Sequence, residues 1–145
     1  MNWKQEAAEK LKLYEAKRQS LASIPAEIAR LKSAMQSIRS ATADGTPVTG
    51  GSSGREDMMI SNIVHRQELE KAAEQAKAWV SIVDGGLAKL TTEERLILDR
   101  FYINPAKGNV NRLCEELGIE KPTVYRRKDD ALRHFTICLY GCTEN

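Results

Sequence analysis

Apolar residues recur along the first forty residues at the spacing of a long amphipathic helix. Ala7, Tyr14, Leu21, Ile28 and Met35 follow one another at intervals of seven residues. The complementary column of the same heptads comprises Trp3, Lys10, Lys17, Ile24, Leu31 and Ile38. A stripe kept over about five heptads is typical of a coiled coil. The alternative is an amphipathic helix that packs on its own chain.

Pro25 lies inside this pattern. A proline removes one backbone hydrogen bond from a helix interior and its ring clashes with the preceding turn. We therefore expect a kink at Pro25 or a new helix start near Ser23.

A second helical pattern follows a segment without periodicity. Residues 41–57 are rich in Gly, Ser, Thr and Asp and are predicted to form a Gly/Ser-rich loop or flexible linker. From about Glu56 to Leu90 the apolar residues again alternate at spacings of four and three. These residues are Leu69, Ala73, Ala76, Val80, Val83, Leu87 and Leu90. The pattern predicts a long antiparallel helical hairpin, coiled-coil-like, over residues 1–90.

A hairpin of two helices has little core of its own. We therefore expect residues 1–90 to form a homodimer or higher oligomer through their apolar stripes. The pair Gly85–Gly86 lowers helix propensity near the end of the second helix. It is interpreted either as a hinge or as a close packing contact.

Residues 91–145 have the pattern of a separate, smaller helical domain. Thr91 or Thr92, with Glu93 or Glu94 nearby, is typical of a helix start. The following run EERLILDRFYI supplies an apolar face, and the segment from Asn104 to Gly108 ends that helix.

Two further helices are predicted beyond this break. Asn109 is expected to cap a short helix that runs through Leu117. Gly118 suits the tight turn after it because glycine tolerates positive φ. Pro122 fits the first turn of a third helix, where a missing N–H does no harm. Its predicted buried side consists of Val124, Ala131, Leu132 and Phe135.

Basic charge is concentrated on this third helix. The whole chain has a formal net charge of +2, whereas residues 121–133 contain five Lys or Arg and two Asp. A short helix, a Gly-containing turn and a basic helix together predict a helix-turn-helix DNA-binding domain. The residues expected to reach base edges are Lys121, Thr123, Tyr125 and Arg126. The residues expected to suit phosphates are Arg127, Lys128 and Arg133.

The segment NVNRLCEELGIEKPTVYRRKDDAL, with LTTEERLILDRFY before it, resembles region 4 of bacterial sigma factors and their phage-encoded relatives. The resemblance covers roughly residues 88–140. The long N-terminal helices are similar to those of phage late-transcription regulators of the ArpU/RinA type. The resemblance implies that the third helix enters the major groove of a promoter element. It places Lys121, Pro122 and Arg126 towards bases, and Thr123 and Arg127 near the backbone.

Two positions depart from the sigma-factor pattern. Glu120 stands where a capping Ser or Thr is usual, and Pro122 replaces a side chain that often contacts bases. A promoter sequence therefore does not carry over from the family.

The resemblance implies a transcription regulator of phage or prophage type, and the helix-turn-helix pattern predicts that it binds double-stranded DNA. RNA polymerase is a further candidate partner. A small-terminase-like DNA-packaging protein and a coiled-coil protein-interaction module are the alternatives. We expect no enzymatic activity and no cofactor, because no phosphate-binding loop, nucleophile elbow or H-E-x-x-H motif is present. We expect no metal site either, because one straight helix cannot bring His134, Cys138 and Cys142 to one ion.

The sequence also bears on the compartment. Its apolar runs are shorter than the ~20 residues of a membrane span, and residues 1–12 lack the apolar core of a signal peptide. We therefore expect no membrane partner and a location in the cytoplasm of the bacterial host cell.

Overall fold

The computed structural model describes residues 1–43 and 52–143, and the regular secondary structure of this described part is all helical, with no strand. The predicted all-α class is therefore confirmed. The helices are α1 (Trp3–Ala43), α2 (Ser52–Ala88), α3 (Thr92–Leu98), α4 (Asn109–Leu117) and α5 (Lys121–Tyr140). A π-helical turn, Asp99–Ile103, extends α3 without a break. No described helix is long and apolar enough to cross a membrane.

The ends of α1 and α2 differ from the sequence-based boundaries. α1 continues to Ala43 and α2 begins at Ser52, so both helices extend into the segment 41–57 that was predicted as a linker. The rest of that segment lies outside the described residues. α1 is one helix of 41 residues with Pro25 inside it, so the expectation of a new helix start near Ser23 is wrong. The exposed position of Pro25 lets water solvate the carbonyl that the proline leaves without its usual donor.

The chain divides into two compact units. The first unit contains Met1–Arg18 and the described part of Ala78–Asn145, and the second unit contains the described part of Gln19–Lys77. The first unit therefore takes the N-terminal end of α1, the C-terminal end of α2 and all of α3, α4 and α5.

The two lysines that interrupt the apolar column of α1 lie over aromatic rings in the first unit. Lys10 Nζ is 5.9 Å from the centre of the Tyr140 ring, and Lys17 Nζ is 5.7 Å from the centre of the Trp79 ring. Trp3 also packs on Tyr140, with ring centres 4.8 Å apart. A lysine stem can cover apolar surface while its ammonium remains in contact with a ring face. These lysines therefore fit the stripe instead of breaking it.

A buried tyrosine links α1 to α2 in the first unit. The Tyr14 hydroxyl donates a hydrogen bond to the Asp84 carboxylate, and the Tyr14 side chain is almost fully buried. Burial and the negative charge of Asp84 both disfavour the phenolate. Together they raise the pKa of Tyr14 to about 12.

The Gly85–Gly86 pair is part of α2, and its two members differ in surroundings. A Cβ at Gly86 would lie 3.0 Å from both Phe135 Cε2 and Leu139 Cδ2, whereas a Cβ at Gly85 would have no neighbour within 4 Å. Gly86 therefore marks a close approach of α2 to α5. Of the two interpretations offered by the sequence, close packing describes Gly86.

Helix α3 begins where the sequence indicated a helix start, and the structure resolves the choice of residues as a capping box of Thr91 and Glu94. The Thr91 hydroxyl accepts the Glu94 N–H at 3.1 Å, and the Glu94 carboxylate accepts the Thr91 N–H at 3.0 Å. The prediction for α4 was wrong by one residue, because Gly108, with φ 77°, is the N-cap and Asn109 is the first helical residue. The Asn109 amide instead donates to the carbonyl of Arg100 at 2.6 Å. It thereby satisfies a backbone acceptor in the π-helical turn, where the regular hydrogen-bond ladder changes.

The second unit has a small core. Among its described residues, the buried apolar side chains are Leu31, Met35 and Ala76. The buried Asn62 links its two helical segments, since the Asn62 amide donates to the Leu31 carbonyl at 2.8 Å and accepts from Arg66 Nε at 2.9 Å. With all of these bonds made, Asn62 fixes which residues of α1 and α2 face each other in this unit.

Candidate nucleic-acid interface

The predicted turn lies between α4 and α5. Gly118 has φ 65° and ψ 38°, a left-handed conformation that glycine adopts without steric penalty. The N–H of Ile119 returns to the carbonyl of Cys114 at 3.2 Å, which closes the end of α4. The prediction of a tight turn at Gly118 is confirmed.

One apolar cluster fixes the orientation of α5. Ile97 of α3, Leu113 of α4 and Val124 of α5 are buried together, and Ile119 of the turn packs against them. Further along α5, Ala131, Leu132 and Phe135 are buried as well. The predicted buried side of α5 is therefore confirmed, and the opposite side of the helix is left to solvent.

The N-terminus of α5 is open. Glu120 is its N-cap and makes no side-chain capping hydrogen bond with the residues that the structure describes. Pro122 lies in the first turn, as predicted, and has no N–H to satisfy. The positive end of the helix dipole and the exposed Lys121 are close to each other in sequence and in space. An anion would be favoured here, although the exposed carboxylate of Glu120 opposes it.

Four of the seven predicted contact residues are exposed: Lys121, Tyr125, Arg126 and Arg133. Arg126 and Arg133 are seven residues apart, so they share the side of α5 that lies opposite Val124. Neither arginine forms an ion pair with another residue of the described chain. Thr123 is half-buried.

The other two predicted contact residues are engaged within the protein. Arg127 Nη1 donates to the Glu93 carboxylate of α3, and both side chains are 41% exposed. Lys128 Nζ lies 5.2 Å from the centre of the Phe101 ring and 5.6 Å from the centre of the Tyr125 ring. The Lys128 ammonium is also 3.6 Å from the Asp129 carboxylate.

Acidic residues divide the exposed side of α5. Asp129 and Asp130 are exposed, and both lie between Arg126 and Arg133 in sequence. On a helix, Asp130 is four residues from Arg126 and three from Arg133, so it can reach the same surface as either arginine. The positive charge is therefore concentrated in the first two turns of α5.

The sequence did not indicate that residues before α4 line the surface beside the start of α5. A groove of about 370 Å³ is lined by Phe101, Pro105, Asn111, Lys121 and Tyr125, among others. Phe101 belongs to the apolar run of α3 and its π-helical turn, which the sequence indicated only as core. The ring contact between Phe101 and Tyr125, with centres 5.9 Å apart, joins residues 24 positions apart, so no local pattern reveals it.

His134 forms a contact between α5 and the start of α3. Its Nδ1 is 2.8 Å from Oε2 of Glu94, the residue that also completes the capping box. Partial burial raises the pKa of Glu94, but the hydrogen bond from the Thr91 N–H and the interaction with His134 outweigh it. The pKa of Glu94 therefore lies below its ordinary value.

Comparison with protein-family models, with curated proteins and with solved structures found no match to this chain.

Proposed function

We propose that this chain is a sequence-specific DNA-binding transcription regulator of phage type, similar to region 4 of sigma factors. Helix α5 lies in the major groove of double-stranded DNA over about residues 121–135. The observation that supports this most is the exposed basic side of α5. Arg126 and Arg133 are free of ion pairs with the described residues, while Val124 on the opposite side is fully buried.

The arrangement of α4, the Gly118 turn and α5 serves as a helix-turn-helix in this proposal. The major groove is wide enough for one α-helix, and an arginine can bind a guanine edge through two hydrogen bonds. Arg126 and Lys121 are the proposed base contacts, and Arg133 suits a phosphate. Asp129 and Asp130 limit the contact to a short stretch of duplex, because a carboxylate near a phosphate is repelled.

Self-association is the second part of the proposal. We assign it to α1 and α2, as an antiparallel hairpin that pairs with another copy. The few buried apolar side chains among the described residues of the second unit support this, because a pair of helices with little core rarely holds together without a further partner. A dimer would present two copies of α5, and half-sites one helical turn apart would lie about 34 Å from each other.

As a phage-type regulator, the protein would act in the cytoplasm of the bacterial host, with RNA polymerase as a further candidate partner. The direct test is selection of bound sequences from random duplex DNA at physiological salt. We expect enrichment of one motif, and a symmetric motif if the protein is a dimer. No enrichment by the folded protein would contradict the proposal.

The native mass measured in the same preparation separates two DNA-binding roles. A dimer fits the regulator. A ring of many copies that binds DNA would instead indicate a packaging protein of the small-terminase type.

A further inference from the structure

Lys128, Phe101 and Tyr125 form a cation–aromatic cluster at the front of α5. The two rings are tilted by 60° with centres 5.9 Å apart, and the Lys128 ammonium lies within 6 Å of both centres. Lys128 follows Tyr125 by three residues on the same helix, so the two side chains are neighbours on its surface. Phe101 comes from the π-helical turn and lies against both of them.

Tyr125 is more exposed to solvent than Lys128. Tyr125 is 44% exposed, and its ring forms part of the wall of the groove that Lys121 also lines. The Lys128 side chain is only 23% exposed. The tyrosine therefore faces solvent while the lysine is covered, which is the reverse of what a lysine bound to DNA phosphate requires.

We propose that Lys128 is a positioning residue that holds the ring of Tyr125, and that Tyr125 is a specificity-determining side chain for the DNA bound by α5. This inference rests on the proposed function. A cation over a ring face restrains the ring, and Phe101 packs against the same ring. A ring held in place before binding loses less entropy when DNA arrives.

Tyr125 has the chemistry for selective contact. Its hydroxyl can donate to an acceptor or accept from a donor on a base edge, and its ring can pack on the methyl group of thymine. Arg126, the next residue, has neither ring contact nor ion pair with the described residues and is the matched example of a freely exposed cation.

The test compares Lys128→Met with Arg126→Met on the duplex that selection identifies. Methionine keeps an unbranched stem and removes the charge. Loss of a phosphate contact lowers the slope of log K against log salt concentration by about 0.9. We expect Arg126→Met to change this slope or to relax base preference. Lys128→Met should leave the slope unchanged and weaken binding by about threefold to tenfold.

The variant Tyr125→Leu tests whether the weaker binding of Lys128→Met depends on the Tyr125 ring. If Lys128 acts through Tyr125, Lys128→Met adds little once Tyr125 is leucine, and both variants relax the same base position. A slope that falls by about 0.9 in Lys128→Met would overturn the inference and make Lys128 a phosphate contact. Fully additive losses would overturn it as well.

A measurement without DNA separates this inference from the proposed function. A ring face shifts the proton resonances of a cation above it upfield, so the Lys128 side-chain methylenes should show an upfield shift in the free protein that depends on Tyr125. This part of the shift is lost in Tyr125→Leu, while the part from the Phe101 ring remains. Absence of that shift contradicts the positioning role even if the wild type binds DNA. If the shift is present but no duplex is selected, the proposed function fails, and the role in specificity fails with it.

Discussion

The two units of this protein use the same helical periodicity with different results. In the first unit, Ile97, Leu113, Val124 and Phe135 are at most 1% exposed and come from three different helices. In the second unit, Ile60 is 58% and Val64 is 44% exposed, and three apolar side chains are buried in the part that the structure describes. Apolar spacing thus predicts a helix equally well in both units, whereas a core requires helices from several directions.

The difference also separates the two proposed roles. A helix that reads DNA must be held in one orientation, and the cluster around Val124 provides that for α5. A surface that binds another copy must expose apolar side chains, as the second unit does. We expect the two units to respond differently to the same substitution.

The largest contrast is expected between Ile97→Ala and Ile60→Ala. Ile97 is 1% exposed, and truncating such a buried isoleucine lowers the free energy of unfolding by about 2–5 kcal/mol. Ile60→Ala at low protein concentration should lower it by less than about 1 kcal/mol. Urea unfolding followed by circular dichroism measures both. Equal losses of unfolding free energy in the two variants would contradict the difference between the units. Weaker self-association of Ile60→Ala would support the proposed partner surface.

Gly86→Ala and Gly85→Ala test how closely α2 approaches α5 inside the first unit. A Cβ at Gly86 meets Phe135 and Leu139 at 3.0 Å, so overpacking should destabilise the protein by about 1–3 kcal/mol. A Cβ at Gly85 has open space, and alanine there should stabilise the helix by up to about 1 kcal/mol. Thermal unfolding of both variants gives opposite signs if this packing is right. A stabilising Gly86→Ala would contradict it.

Tyr14→Phe should produce a smaller loss, about 1 kcal/mol, because it removes one hydrogen bond to Asp84. The pKa of Tyr14 is raised from 10.0 to about 12 in the folded protein. A raised pKa contributes stability below pH 10 that is lost as the pH rises through 12. Absorbance titration of the tyrosines, with stability measured between these limits, should therefore show a steeper decline in the wild type than in Tyr14→Phe. An identical decline would mean that Asp84 does not hold the hydroxyl.

The smallest effect is expected at Glu94, which is partly exposed. Its lowered pKa contributes stability above the ordinary value of 4.5, and that contribution is lost as the pH falls through the folded value. Glu94→Gln should remove this part of the acid sensitivity and slightly lower stability at neutral pH. Stability measured from pH 6 downwards tests this, with Glu115→Gln on the exposed side of α4 as the matched control. If both variants follow the wild type, the contacts of the Glu94 carboxylate with Thr91 and His134 have no energetic role.

Most of the helical fold could be predicted from local sequence signals. The Thr91 capping box, the turn at Gly118 and the buried side of α5 each depend on residues a few positions apart. The predictions that were wrong, at Asn109 and Pro25, depend on contacts or surroundings that neighbouring residues in the sequence do not reveal. The sequence favours Asn109 as a helix cap, whereas its side-chain amide donates to the Arg100 carbonyl in a π-helical turn that residue spacing does not predict. Pro25 likewise lies exposed inside one continuous helix, which its residue type alone does not predict.

The candidate site was only partly predictable, because several of its contacts join residues that are far apart in the sequence. The sequence shows which side chains of α5 are basic, but not which of them are already engaged. Arg127 pairs with Glu93, 34 residues away, and Lys128 lies over Phe101, 27 residues away. Such contacts arise from the packing of α3 against α5, which depends on tertiary structure. Of the seven predicted DNA-contact residues, four are therefore exposed: Lys121, Tyr125, Arg126 and Arg133.

The most direct test of the central claim is the affinity of Arg126→Ala for the selected duplex, measured beside Arg95→Ala. Both residues are exposed arginines, one on α5 and the other on α3, so each variant removes one positive charge without disturbing the core. We predict that Arg126→Ala loses specific binding by at least about tenfold and keeps its thermal stability, while Arg95→Ala binds nearly as the wild type does. Equal affinities of the two variants would contradict recognition of DNA by α5.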